Sequence, residues 1–253
     1  MAYDITLQKH IRCKKGDVAE YAFIPGDPAR AERIACSFDT FEKISENREY
    51  VIYTGIKDGL RLSVCSTGIG GPSTAIAMEE LARIGVHTMV RVGSAGGRKE
   101  NIPVGSVVVV NAAIKGDGTS LAYLPGIYPA VPNIQVTQAL MQSAKEILNP
   151  EPFYVGVSFT RDAYYVQNPQ LNEMFKDTEV TVAEMECATV FTVGAVRGIR
   201  TGAIVGTDSN IFLKNQLTLE DKDRLYQEAE RKTIDIAIGA VLQLAKSDEG
   251  GVQ

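Results

Sequence analysis

The chain is poor in cysteine and has no excess of positive charge, and it lacks any long apolar run. Its four cysteines, Cys13, Cys36, Cys65 and Cys187, stand far apart with no CxxC pair. That spacing signals neither a zinc site nor a disulfide framework, so reduced thiols are expected. Lys and Arg total 26 against 31 Asp and Glu, a formal net charge of −5. A nucleic-acid binder draws its affinity from clustered cations that neutralise phosphates, so that class is excluded, whereas a small anion needs only a local cluster. The first residues, Met-Ala-Tyr-Asp-Ile-Thr, lack a basic region followed by an apolar one, and no stretch is apolar enough to span a bilayer. A cytoplasmic protein with no membrane or nucleic-acid partner is expected.

What is present is an ordinary globular composition. With 45% hydrophobic and 23% charged residues, the 253 residues can bury a full core and read as a single α/β domain over 1–253. The most informative stretch is Met89-Val-Arg91-Val-Gly-Ser94-Ala95-Gly96-Gly97, an apolar strand that carries one arginine and breaks into a small-residue turn. A lone buried guanidinium is costly, and its rigid fork fits phosphate or carboxylate oxygens. Two readings stay open here: an anion site with glycine N–H groups close by, or a structural pair with an Asp or Glu.

Other segments add corners of the same kind. Tyr21 to Arg30 reads as a strand entering a Gly26-Asp27-Pro28 turn, with a helix starting near Ala29 and Arg30 in its first turn. Asp58-Gly59 marks a hairpin, and residues 60–92 form a βαβ unit whose helix starts at Pro72 and closes at Gly85. The glycines at 68, 70 and 71 do not spell GxGxxG, and strand 88–92 does not end in an acid, which argues against a dinucleotide. Residues 104–114 predict a strand buried on both faces, 115–135 a long loop, 135–148 a helix and 153–159 a strand. Arg161 to Pro169 is an aromatic, polar loop in which Tyr164 and Tyr165 could sandwich a flat heterocycle or simply pack on the core.

Two carboxylates, Glu184 and Glu186, stand two apart where a short strand meets a helix, and strand alternation turns them to different sides. Either could accept from vicinal sugar hydroxyls, or serve as a helix-start acid. Strand 201–207 ends in Asp208, a proton donor if apolar neighbours raise its pKa, otherwise a turn cap. Thr218 to Lys246 reads as one amphipathic helix with a solvated charged face, and 247–253 as a frayed tail.

The ordered set Pro25-Gly-Asp-Pro-Ala-Arg30, Asn47-Arg48-Glu-Tyr50, Cys65-Ser-Thr-Gly-Ile-Gly-Gly-Pro-Ser-Thr, Arg91-Val-Gly-Ser94-Ala-Gly96 and Glu184-Met-Glu186 resembles the nucleoside phosphorylase-I family. More narrowly, it resembles the uridine phosphorylase and hexameric purine nucleoside phosphorylase branch. The resemblance implies a three-layer α/β/α fold around a mixed, partly barrel-like sheet. It also implies reversible, phosphate-dependent cleavage of a ribonucleoside, with inorganic phosphate as co-substrate and no metal or other cofactor. Gly26, Arg30, Arg48, Arg91 and Ser94 would bind phosphate, and His10, Glu184, Met185 and Glu186 the ribose. Ala95, Gly96, Tyr164, Asn168 and Asp208 would face the base, with Asp208 protonating a purine. Arg91, Glu186 and Asp208 would be the catalytic set. His10, from an N-terminal segment 1–15, and Arg48 would act across a subunit interface, so a homo-oligomer, a hexamer in the family, is implied.

The resemblance is incomplete at the base. Uridine phosphorylases carry a glutamine and an arginine where this chain has Asn168 and Gln170, and Arg161 occupies a position that is usually small and polar. Purine ribonucleosides are therefore the expected substrates and uridine the alternative. A hydrolytic nucleosidase and a silent nucleoside-binding protein are the readings outside that class.

Overall fold

The computed structural model describes residues 6–166, 168–214 and 217–250. A short strand β1 (Tyr21–Phe23) turns at Gly26 into helix α1 (Pro28–Ala35). The Asp27 carboxylate accepts from the N–H groups of Ala29 and Arg30, and Pro28 opens the helix where a missing N–H costs nothing. Strands β2 (Thr40–Asn47), β3 (Tyr50–Lys57) and β4 (Leu60–Cys65) follow, each antiparallel to the next. The β3–β4 connection is the hairpin that Asp58-Gly59 predicts, with φ of 48° and 81° at the two residues. Helix α2 (Gly71–Arg83) and strand β5 (Thr88–Gly97) complete the βαβ unit, except that β1 lies between β4 and β5 and is parallel to both.

Then come β6 (Val107–Gly116), α3 (Gly118–Tyr123), α4 (Ile134–Leu148), β7 (Tyr154–Arg161) and α5 (Pro169–Lys176). The chain ends with β8 (Val180–Glu184), α6 (Cys187–Arg197), β9 (Arg200–Asn210) and α7 (Leu219–Gly250). The predicted loop over 115–135 contains helix α3, started by the buried Asp117, whose carboxylate accepts from the Ser120 N–H at 2.7 Å.

The nine strands form one sheet in the order β2-β3-β4-β1-β5-β8-β7-β6-β9, and β5 also pairs with β9. That last pairing closes β5, β8, β7, β6 and β9 into a five-stranded barrel, so β5 belongs to the open half and to the barrel. The three-layer, partly barrel-like arrangement is thus present. Val108 and Val110 enter one core cluster with Met78, Leu81 and Phe191, while Val107 and Val109 enter the other with Leu140, Ile236 and Val241. Alternate residues of one strand therefore feed both faces, and each such side chain contributes about 1.5–3 kcal/mol relative to exposure.

Helix α7 departs from expectation twice. It continues past Lys246 to Gly250, because Asp248 takes both Nη groups of Arg200, at 2.9 and 2.6 Å, and the Tyr21 hydroxyl at 2.5 Å. Residues 251–253 of the predicted frayed tail, and 1–5 of the N-terminal segment, lie outside the described residues. Nor is its charged face wholly solvated, since Glu230 is buried beneath α1 and pairs with Arg30.

Candidate active site

Strand β5 carries the site. Arg91 lies nearly buried on it, and a Cβ at Gly93 would come within 2.7 Å of its Nη2, so glycine there makes the room that the guanidinium occupies. Arg91 Nη2 is 2.5 Å from Glu186 Oε2, and Nε is 3.2 Å from Glu184 Oε2 without being aimed along a hydrogen bond. The two glutamates therefore converge on one cation instead of pointing to different sides. The reason is local: Glu184 ends β8, but Glu186, with φ −139° and ψ −26°, has left extended geometry, so strand alternation stops between them.

The two carboxylates are held very differently. Glu184 accepts from the hydroxyls of Ser158 and Thr160, at 2.9 and 2.6 Å, and from the N–H groups of Glu186 and Cys187, both at 2.8 Å. It is locked as the anchor of helix α6. Glu186 accepts from the Gly70 N–H at 2.6 Å and pairs with Arg91. Burial pushes the Glu186 carboxyl up against the pull of Arg91, and the charge of Glu184 adds to that rise. Burial alone would lower Arg91, but the two carboxylates outweigh it and keep the guanidinium charged.

Arg30 is also buried and paired. Its Nε donates to Glu230 Oε2 at 2.7 Å, Nη1 to the Val92 carbonyl at 3.3 Å and Nη2 to the Tyr226 hydroxyl. Burial pushes Glu230 up, yet Arg33 and Arg30 outweigh it and hold its carboxyl below the usual range. Burial also raises the Tyr226 phenol to about 12. Asp208, near the end of β9, accepts from the Ser209 hydroxyl at 2.7 Å, and burial raises its pKa above the ordinary aspartate value.

Arg30, Arg91, Glu184, Glu186 and Asp208 line one cavity of about 610 Å³. Of the predicted residues it gathers Gly26, Arg30, Arg91, Ser94, Ala95, Gly96, Tyr164, Glu184, Met185, Glu186 and Asp208. It does not gather Arg48, His10 or Asn168. Arg48 is exposed in the β2–β3 turn at φ 56°. His10 is bound to Glu80 at 2.7 Å through Nδ1, and its carbonyl accepts from Asn47 at 2.7 Å, so His10 and the Arg48 turn lie side by side away from this chain's cavity. Asn168 caps α5, its Oδ1 accepting from the Leu171 N–H at 3.1 Å. Tyr164 and Tyr165 stand edge to face, with planes at 84° and centroids 5.0 Å apart, which rules out a parallel slot between them.

The cavity also takes in Tyr165 and Arg161, and with them Ile69, Arg98, Ser209 and Ile211, to which no role is given by sequence. Arg98 follows β5 directly, and its N–H donates to the Thr181 carbonyl at 2.8 Å. Burial, with the like charge of Arg161 added, lowers its guanidinium to about 10. Among the described residues no group of three or more His, Cys, Asp or Glu could hold a metal, and no helix is long and apolar enough to cross a membrane.

Known proteins resemble this arrangement over most of the chain. A family model described as the phosphorylase superfamily matches residues 20–242. A guanosine phosphorylase from Halorubrum lacusprofundi is 40% identical over 240 residues, covering 94% of this chain and 99% of that protein. A uridine phosphorylase from Thermococcus kodakarensis is 38% identical, covering 96% and 88%. The crystal structure of a purine nucleoside phosphorylase from Toxoplasma gondii in complex with immucillin-H superposes with a TM-score of 0.86 at 30% identity, covering 98% of this chain and all of that one.

Proposed function

The chain belongs to the phosphorylase superfamily, and from that premise we propose that it is a pentosyltransferase that cleaves the N-glycosidic bond of purine ribonucleosides with inorganic phosphate. The observation that carries the reading is the meeting of Arg30, Arg91, Glu186 and a raised Asp208 around one cavity. Phosphate draws Arg91 and Arg30 to its oxygens. Glu186, released from Arg91, accepts from the 2′ and 3′ hydroxyls, and Met185 lies against the sugar. The nucleophile is thereby fixed beneath C1′, which turns a bimolecular attack into a positioned one.

As the C1′–N bond breaks, its electron pair passes to the base and the sugar gains oxocarbenium character, stabilised by the phosphate dianion. Asp208 in its protonated form, which burial favours, gives its proton to the purine. A phosphate oxygen closes the new C1′–O bond, and the proton that phosphate sheds on forming ribose 1-phosphate restores Asp208. Gly26 and Ser94 complete the phosphate cradle, while Ala95, Gly96 and Tyr164 line the base side. His10 and Arg48, adjacent to each other and outside the lining of this cavity, contact the ribose 5′ end and the phosphate in the site of a second copy, so the active unit is a homo-oligomer.

Uridine is the second reading, favoured by the identity to the Thermococcus protein. Guanosine, inosine, adenosine and uridine assayed with and without phosphate decide between them. Purine cleavage that requires phosphate and yields ribose 1-phosphate is expected. Uridine turnover alone would move the assignment to the second reading. Equal base release without phosphate would make the protein a nucleosidase, and no release at all a binder.

A further inference from the structure

One pair of cations in the cavity is not used by the chemistry above. Arg98 and Arg161 both line it, and among the described residues neither has a carboxylate within 4.0 Å. The nearest acid in sequence, Asp162, is turned away to accept from the Gly118 N–H at 2.8 Å. Arg161 spends Nη1 on the Val166 carbonyl at 2.8 Å and Nη2 on that of Tyr164 at 3.0 Å, which orients the guanidinium but does not neutralise it. Arg98 reaches Asn172 Oδ1 only at 3.5 Å, and its Nε is buried with no partner. Two like charges at one wall, one of them with an orphaned buried donor, are unfavourable in the empty protein. They become favourable only when a ligand brings electron-rich acceptors.

The phosphate is already served by Arg30 and Arg91, at the other end of the row that β5 makes from Arg91 to Arg98. On the functional reading given above, the part of the ligand that lies away from phosphate and ribose is the base. A guanidinium offers five N–H donors and no acceptor. It can meet a ring carbonyl, but an exocyclic amino group would face it donor to donor. We propose that Arg98 and Arg161 read the outer edge of the base and select nucleosides with a carbonyl at purine C6 or pyrimidine C4, 6-oxopurines and uracil, over their 6-amino and 4-amino counterparts. The same charges stabilise the electron density that collects on the carbonyl oxygen as the base leaves.

The test pairs substrates that differ only in oxo against amino: inosine with adenosine and uridine with cytidine, measured as kcat/KM with phosphate for the wild type, Arg98→Gln and Arg161→Gln. The expected result is an oxo-to-amino ratio that falls by about 100-fold in each variant, because a site of donors rejects an edge that cannot accept, with the loss read against the nucleoside and not in the KM for phosphate. Equal losses on both members of a pair, or an unchanged ratio, would overturn the proposal. Should Arg98→Gln fail to fold, as thermal melting would reveal, Arg161→Gln decides alone, since that half-buried side chain sits at the rim of an exposed loop. Calorimetric binding of hypoxanthine, adenine, uracil and cytosine gives a readout without turnover. A wild type that binds adenine as tightly as hypoxanthine refutes the arginine reading. A wild type that prefers hypoxanthine but cleaves nothing with phosphate refutes the functional one instead.

Discussion

At the inner end of the cavity Arg30 and Arg91 each rest on a glutamate of this chain, Arg30 on Glu230 at 2.7 Å and Arg91 on Glu186 at 2.5 Å. At the outer end Arg98 and Arg161 rest on none among the described residues. The difference is one of what must be given up when a ligand arrives. On the proposed function, phosphate at the inner end would compete with an ion pair that exists already, so its binding would be worth only the difference between two partners. The proposed exchange would also couple the two substrates, because Glu186 would become free for hydroxyls as Arg91 turned to phosphate. At the outer end nothing is displaced, and recognition there is direct.

The contrast can be broken most severely at Glu186. In Glu186→Gln the carboxylate that holds Arg91, and that on the proposed function accepts the ribose hydroxyls, is gone, and kcat/KM for guanosine is expected to fall by about 1,000-fold. Phosphate binding should tighten, because its competitor is removed. Calorimetric titration with phosphate alone checks this, and unchanged affinity would mean that no exchange occurs.

Asp208→Asn is next in size, with an expected loss of about 100-fold on purine nucleosides and little on uridine. The raised pKa of Asp208 keeps its proton above the ordinary aspartate range. Wild-type kcat on inosine should therefore fall as pH rises through that value, and the variant should lose this limb of the profile. A wild type with a flat profile would remove Asp208 from the proton-donor role.

The smallest effect on turnover is expected from Glu230→Gln, a change of several-fold in KM for phosphate as Arg30 is loosened. Its cost falls on stability instead, about 3 kcal/mol, since a buried arginine loses its counter-charge. The folded-state pKa of Glu230 is lowered, so its contribution is complete above the unfolded glutamate value of about 4.3 and fades as pH falls through the lower folded value. Chemical denaturation at neutral pH and in acid should show the variant and wild type converging at low pH.

Much of this site is legible in sequence because its pieces are local. The Gly26-Asp27-Pro28 turn, the Asp58-Gly59 hairpin and the arginine of β5 each depend on a few adjacent residues, and they fold as those residues dictate. What is not legible depends on distance or on one irregular dihedral. Glu230 reaches Arg30 across 200 positions and Gly70 reaches Glu186 across 116. The convergence of Glu184 and Glu186 turns on the single non-extended backbone at Glu186. For Glu230 a signal does exist: Ala229, Thr233, Ile234 and Ala237 share its helical face, and an acid on an apolar stripe needs a buried cation. Arg98 offers none, because only the closure of β8 onto the end of β5 encloses it.

Strand β5 has the further property of running through both halves of the sheet, pinned by β1 on one side and β9 along its whole length. Arg91 stands on that strand and Arg98 directly follows it, so the gap between the proposed phosphate grip and the proposed base grip is set by one rigid rail. On the proposed function a nucleoside is held by its base at one end and by its ribose toward the other, and the second contact forms at the high effective concentration set by the first. Cutting the glycosidic bond separates those contacts. The free base is left with its own end alone, while the ribose passes to the phosphate.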